Sequence, residues 1–520
     1  MTRLLATLPL LALLAGPAVA ADLVIGARAT PAVDPHFQWL STNTAYSLHM
    51  FDALVRNDAD GKLQPALAES WRQLDNLTWE MKLRRGVRFH DGSEFTAKDV
   101  IFSVDRIATL PNNPNPYTNN IRSITKLDEI DPWTLRITTR APDPLVIGPL
   151  ASVIIVSHKA AAGAMPADFR SGKAAIGTGP YKFAAYVNDE RLDLVRNDGY
   201  WGGRPTWDKV SFRIISKDSS RVAALLAGDV DVIDFVPTTE IPTLEKSPRT
   251  AVFSGPSDRL MFLMLDVGRS PTPYAVGADG KPLDPNPMRD IRVRRAMAMA
   301  VDRDAILKRV MEGAAGPTWQ MVPEGVIGFD PTIAKPPADP AGARRLLAEA
   351  GYPNGFGLTV HCSNNRYVND GQLCQAIGQM MARIGIKTEV VAMPLNVFFP
   401  RITAPKSEFS LILFGWGNSA TAADFLTAIL HTYDRDKRRG HANRAYFSDP
   451  AYDQMVEDAV TEMDATVREQ KMRKAVRYIT EQYATIPLHV QFTVLAARKG
   501  LVVSPRRDEM TLAEEVKPAN

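Results

Sequence analysis

Cysteine is almost missing from this chain: there are two in 520 residues, Cys362 and Cys374. That excludes a disulfide-stapled mini-fold and a cysteine-rich zinc module, both of which need clustered sulfur. A charge of one sign is missing too. Lysine and arginine total 61 against 58 acidic residues, a formal +3, and the signs are interspersed. Such a pattern offers neither a nucleic-acid stripe nor a polybasic membrane patch. The densest cationic cluster, RDKRRGH at residues 435–441, reads as a solvated loop. The chain also lacks H-E-x-x-H, G-x-S-x-G and G-x-x-x-x-G-K-[ST], so no familiar metal, serine or phosphate-loop chemistry is written in it. Residues 172–180, GKAAIGTGP, imitate a phosphate loop, but their Gly-Lys comes first rather than last. Internal repeats and low-complexity tracts are absent as well.

The apolar run at residues 4–15 falls short of the roughly 20 residues that cross a bilayer. It follows Arg3 and precedes Ala18-Val19-Ala20, an A-x-A cleavage site. Residues 1–20 therefore read as a signal peptide, and the mature protein as periplasmic. Export places both cysteines in an oxidising compartment. They stand 12 positions apart, and a bridge between them would contribute about 3 kcal/mol by loop entropy. We expect that disulfide.

Strand and helix signals alternate. Leu77, Trp79, Met81 and Leu83 fall on one face of an expected half-buried strand at residues 77–84. Strands are expected also at 23–28, 134–140, 192–197 and 209–215. Asp339-Pro340 and Asp449-Pro450 each set an N-cap before an N1 proline and so open helices. Met472, Ala475, Val476, Ile479 and Tyr483 recur at helical spacing, one buried stripe. Proline-rich connectors lie at 111–116, 271–287 and 331–340. The fold class is mixed α/β, built in lobes.

One stretch invites a catalytic reading: RFHDG, residues 88–92, sets His90 beside Asp91. Asp91-Gly92 is a turn signal, and Thr96-Ala97-Lys98-Asp99 has the form of a capping box. His90 thus sits in a strand-to-helix connection, with no nucleophile or third partner in the motif set. It reads as a turn histidine.

LQPALAESW (63–71) followed by WEMKLRRGVRFHDGSEFTAKDV (79–100) resembles the peptide- and nickel-type solute-binding proteins of bacterial ABC importers, the extracellular family 5. GTGPYKF (177–183), NDGYWGGRPTWDKVSFRII (197–215) and RVAALLAGDVDVID (221–234) continue the likeness. VRRAMAMAVDRDAIL (293–307), ARRLLAEAGYPNGF (343–356), NRAYFSDPAYDQMVEDA (443–459) and YATIPLHV (483–490) complete it in the same order. The resemblance implies a two-lobed periplasmic binding protein of type II with an extra domain inserted in the first lobe. Lobe 1 would hold residues 21–63, 177–253 and 483–520, the insertion 64–176, and lobe 2 254–482.

It also implies a ligand caught between lobes that close by a hinge and hand it to an inner-membrane ABC permease. The expected ligand is a short peptide or similar small solute. The same fold in relatives takes nickel chelates, opines or oligosaccharides. No cofactor, no catalysis and no nucleic acid are implied, and a monomer is expected. An exported hydrolase built on His90-Asp91, or a ligand sensor serving a membrane receptor, are the readings from other classes.

For the cleft, LILFGWGNSATAADF (411–425) offers a buried strand running into a loop with Trp416, Asn418 and Asp424. By the resemblance, Asp424 pairs with the ligand's α-ammonium; an N-cap role for the following helix is the other reading. Arg366, in SNNRYVND beside the cysteine pair, is the candidate for a carboxylate. Thr42 and Asn43, before a helix, match a segment that meets ligand backbone. Asn443 lines the opposite wall or serves a turn. Trp416 stacks on ligand or packs in its lobe.

Overall fold

The computed structural model describes residues 22–114, 116–417 and 421–519. The expected signal segment, residues 1–20, lies outside the described residues. Among the described residues no helix is long and apolar enough to cross a membrane.

The local signals act as their chemistry requires. The Thr96 N–H donates to Asp99 Oδ2 at 2.9 Å, and the capping box opens helix Ala97–Thr109. Asp339 and Asp449 cap helices Pro340–Glu349 and Pro450–Val460, each with proline in the first turn. Along helix Ala465–Gln482 the stripe Met472, Ala475, Val476 and Ile479 is buried; Tyr483, expected in the same stripe, is instead the half-buried C-cap, because its left-handed backbone (φ 52°) ends the helix. In strand Thr78–Leu83, Met81 and Leu83 are buried, but Leu77 is 39% exposed because the strand starts one residue after it.

Two long strands organise the molecule. Thr250–Leu265 and Thr485–Arg498 run antiparallel to each other along most of their length. At one end Ala496 and Ala497 pair with Ile233 and Val232 beside the first strand, Asp22–Ala27. At the other, residues 259–265 pair with strand Leu411–Gly417. One sheet of 12 strands therefore passes through both lobes. A register shift between Pro256 and Leu260 marks the crossing.

Alternation along these strands fills two cores in lobe 2. Leu260, Phe262 and Met264 point into one, with Ile412, Phe414 and Phe425. Met261, Leu263 and Leu265 point into the other, with Leu411, Leu413 and Leu347. A strand covered on both faces reads as a continuous apolar run, which is why LILF at 411–414 shows no alternation. Lobe 1 has its own core of Leu23, Ile25, Tyr46, Phe51 and Phe212. The C-terminal segment returns to it through Leu495, Leu501, Val503 and Val516.

The inserted unit carries a separate four-stranded antiparallel sheet, Ala68–Gln73, Thr78–Leu83, Thr134–Thr139 and Ile124–Asp131 in spatial order. Its core runs from Leu54 to Ile155. That differs from the expected limits 64–176: Val156, Ala161, Phe169 and Ala175 pack in the lobe 1 core instead. Ile486, Leu488 and Val490, beyond the expected lobe 2 limit of 482, pack in the same cores as strand Leu411–Gly417. Hydrophobic patterning locates strands, but it does not show where one strand changes lobes.

His90 serves the insertion's junction. Its N–H donates to Gly177 O at 2.8 Å, and Nε2 meets Gly179 O at 3.0 Å. Asp91 accepts from the Ser93 N–H and hydroxyl. The two side chains face different partners, and burial pushes the imidazole pKa down to about 4. Gly177 and Gly179 in turn press against the Met50 backbone, where a Cβ would sit 2.0 and 2.5 Å from it.

Candidate functional site

Strand Leu411–Gly417 emerges from the two cores at its glycine-rich end. A side chain at Gly415 would collide with Tyr367, at 2.6 Å, and this space lets the Tyr367 ring lie against the strand. The Tyr367 hydroxyl donates to Gly415 O at 3.1 Å. The Arg366 guanidinium lies 5.1 Å from that ring's centre, in cation–π range. Beside it Arg259, which pairs across the ladder with Gly417, makes a bidentate bond to Glu509 at 2.6–3.0 Å.

Among the described residues Arg366 has no hydrogen-bonding or ion-pair partner for its own guanidinium; only its backbone N–H is taken, by Asp370. Burial, then the Arg259 charge, lowers its pKa. It remains a cation, since arginine does not deprotonate in proteins. A disulfide joins Cys362, at the end of strand Phe356–Ser363, to Cys374 on helix Asp370–Arg383, with Cα atoms 6.6 Å apart. Residues 364–369, which carry Arg366, are spanned by that bridge. Arg28 of lobe 1 reaches this loop, donating to Asn365 O at 3.1 Å.

On the other side of the strand end, the Trp416 indole N–H donates to Asp424 Oδ2 at 3.1 Å. The Trp416 ring also lies 6.1 Å from His441 and 6.3 Å from Phe414. Asp424 is not the helix cap. Ala422 holds that position, and Asp424 stands within the short helix Ala423–Phe425. Burial pushes its pKa up, while the Arg122 charge and the Trp416 hydrogen bond pull the other way. Asn418 lies outside the described residues.

Arg122 comes from the inserted unit, at the end of the short helix Tyr117–Ile121. Its guanidinium, too, forms no hydrogen bond or close ion pair among the described residues. Burial, then the Arg122, Arg444 and Arg439 charges, press the His441 pKa down to about 4, so the ring is neutral at pH 7. The cluster 435–441 is thus not simply solvated. Arg439 is bound to Glu457 at 2.8 Å, and His441 packs on Trp416.

The remaining expected residues divide. Asn443 is committed to a turn: its amide donates to His431 O and Phe447 O, and its carbonyl accepts from Ala445. No donor remains for a ligand. Asn43 accepts from the Ala32 N–H and donates to Gln38 O, which engages one of its two amide N–H groups. Thr42 stays half-buried in the first turn of helix Ser41–Met50. Two residues along, Thr44 meets the Tyr117 hydroxyl at 3.4 Å, in the short helix that ends at Arg122.

The structure therefore gathers Asp424, Trp416 and Arg366 around one strand end and adds Arg122, His441 and Tyr367. Arg122 had no signal of its own: it is a lone arginine following a proline-rich connector. His441 was hidden inside a charge run.

Residues 62–437 match bacterial extracellular solute-binding proteins, family 5 Middle. The chain is 30% identical over 502 residues to the glutathione-binding protein GsiB of Pectobacterium atrosepticum, covering 94% of this chain and 93% of that one. Among solved structures it is similar to the ABC transporter substrate-binding protein CtaP of Listeria monocytogenes, with TM-score 0.81 at 22% identity over 96% of this chain and 99% of that one. It is similar also to the periplasmic binding protein DppA of Helicobacter pylori in complex with a peptide, with TM-score 0.76 at 23% identity over 96% and 98%. The sheet that threads both lobes, the inserted unit and a match spanning most of the chain agree: this protein belongs to the bacterial extracellular solute-binding proteins of family 5.

Proposed function

We propose that this protein captures a short peptide or peptide-like zwitterion between its lobes and delivers it to an ABC permease of the inner membrane. The observation that carries this is the pairing of two unspent charges at one strand end. Asp424 is a desolvated carboxylate held, among the described residues, by a single hydrogen bond, from Trp416. Arg366 is a largely buried guanidinium without an anion among the described residues. Leaving buried charges unpaired costs several kcal/mol unless a ligand supplies their partners. A free α-ammonium and a distant carboxylate are the complementary groups, and arginine suits the carboxylate by its planar fork.

The relatives support a peptide ligand, one being a glutathione-binding protein and one a peptide complex. Residues 1–20 serve as a cleavable signal that sends the chain to the periplasm. The protein is not an enzyme in this reading: His90 and Asp91 are occupied in a turn, and no nucleophile accompanies them. It works as a monomer and needs no cofactor.

Native mass spectrometry of mature protein taken from the periplasm without refolding tests this. An added mass matching a short peptide is the expected result. An added nickel chelate, opine or sugar would overturn the ligand class.

A further inference from the structure

Loop 364–369, clasped by the disulfide of lobe 2, is tied to lobe 1 at more than one point. The Asn369 side-chain amide donates to Thr238 Oγ1 and to Val310 O, each at 2.7 Å. Val310 closes the helical segment Ile306–Val310 of lobe 2. Thr238 stands on the other side: it follows Val236, which packs with Ile233, the ladder partner of Gly26 in the first strand. Arg28, just past that strand, lies 5.6 Å from the centre of the Phe235 ring and donates to Asn365 O at 3.1 Å. The Val368 N–H donates to Oε1 of Gln491, on long strand Thr485–Arg498, at 3.2 Å. Gln491 is itself fixed by donating to Glu509 at 2.9 Å.

The loop is stiffened from its own side. The buried Asp370 carboxylate accepts from the Ser363 hydroxyl and from the Arg366 and Tyr367 N–H groups, at 2.7, 3.0 and 3.2 Å. Asn369 has a left-handed backbone, φ 54°, a conformation asparagine takes more readily than most residues. Behind the loop lies a cavity walled by Asp234, Phe235, Thr238, Val368, Gln491 and Glu509. At this joint the two sides are tied by hydrogen bonds across open space. Each such bond is modest in net worth, so the joint can part and remake at small cost. A cleft that admits a solute and shuts behind it needs a joint of that kind.

We propose that loop 364–369 is the latch of the cleft, with the Asn369–Thr238 bond as its bolt, and that fastening it sets how long a captured solute stays. Both N–H groups of the Asn369 amide are spent on the fastening, one on each lobe. Asn369 is therefore a positioning residue rather than a ligand contact. Arg366 stands between Asn365 and Val368, two of the fastened residues, so the latch also fixes where that guanidinium sits. Opening the lobes breaks the bonds of residues 365 and 369 to lobe 1 while leaving those to Asp370 intact. The loop then stays folded on lobe 2, ready to fasten again. A latch of this kind serves any solute, so it stands apart from the peptide reading.

The test is small-angle X-ray scattering together with amide hydrogen exchange, on the full-length mature protein with no ligand added. N369G removes the amide while keeping a residue that accepts the left-handed backbone. T238V removes the hydroxyl from the opposite lobe and leaves the loop's own sequence untouched. Each should enlarge the radius of gyration and speed exchange of the 364–369 amides by about twofold to tenfold, the worth of one neutral hydrogen bond. The double variant should go no further than N369G alone, because Thr238 then has no bond left to lose. T238S, which keeps the hydroxyl, should match the unmodified protein. Unchanged scattering in both single variants would overturn the latch. Faster exchange with unchanged scattering would overturn it too, since the bond would then be a local pin. Either failure leaves the peptide reading as it stands.

Discussion

At the scale of residues, the site turns on groups whose hydrogen-bonding capacity is not spent. Asn443 and Asp424 look alike in sequence, each a short polar residue at the mouth of lobe 2. The amide of Asn443 is exhausted by its own turn, whereas Asp424 keeps a single Trp416 bond. D424A is therefore expected to weaken a ligand bearing a free α-amine by about 2–5 kcal/mol, the range for removing one partner of a buried charge pair. An N-acetylated ligand should lose nothing further from the substitution. Unchanged affinity in a calorimetric titration would remove Asp424 from the site. His90 gives the opposite expectation. H90A should lower stability by about 1–3 kcal/mol, since it removes the ring's bonds to Gly179 O and from the Gly177 N–H, yet leave ligand affinity alone. Both outcomes come from one thermal and one calorimetric series. The sequence showed residue types but not which were already engaged. It offered Asp424, Trp416 and Arg366 as candidates, but nothing in it pointed to Arg122, whose charge is brought to act on Asp424 only by the fold.

At the scale of elements, the signals that were legible are the ones set by local chemistry. The Thr96–Asp99 box, the two Asp-Pro caps and the stripe of helix Ala465–Gln482 need only neighbouring residues, and each is found where its spacing puts it. The lobe crossings were not legible at that level, because strand Thr485–Arg498 keeps its apolar character while its core changes at Gln491. The loop bearing Arg366 is an element of another kind, held by the bridge from Cys362 to Cys374. Loop-entropy arguments put such a bridge at about 3 kcal/mol. C362S/C374S, or reduction of the folded protein, should lower Tm and also weaken peptides with a free C-terminal carboxylate. Affinity for the corresponding C-terminal amides should change less. Loss of stability with equal effects on both ligand forms would show that the bridge staples lobe 2 without positioning Arg366.

At the scale of the whole molecule, the titratable groups set how the protein meets acid. The sequence holds eight histidines. Four of them, His36, His49, His361 and His489, are buried with depressed pKa values, about 4 for the first three and about 3 for His489, with burial the main cause in each. A base whose folded pKa lies below its unfolded 6.5 adds stability above pH 6.5 and loses it as pH falls toward the folded value. Each such group surrenders about 1.4 kcal/mol per pH unit within that window. Asp234 and Asp258 act in the other direction. Burial raises both to about 6, so their contribution is full below their ordinary 3.8 and fades as pH rises through 6. His90 and His441 shift the same way as those four, to about 4, while burial also raises Asp52, Asp424 and Glu514. Six histidines outnumber five raised carboxyls between pH 6 and 4, and unliganded Tm should fall on acidification through that range. Ligand binding has its own dependence. The ammonium needs Asp424 ionised, and burial lifts that pKa, so affinity should decline at a higher pH than an ordinary aspartate would dictate. Thermal scans with and without ligand separate the two: the unliganded Tm reports the histidines, while the gap between the curves, about 2.7 kcal/mol at a hundredfold excess over Kd, reports Asp424. If the gap stays constant down to pH 4, the ligand's amine does not rest on that carboxylate.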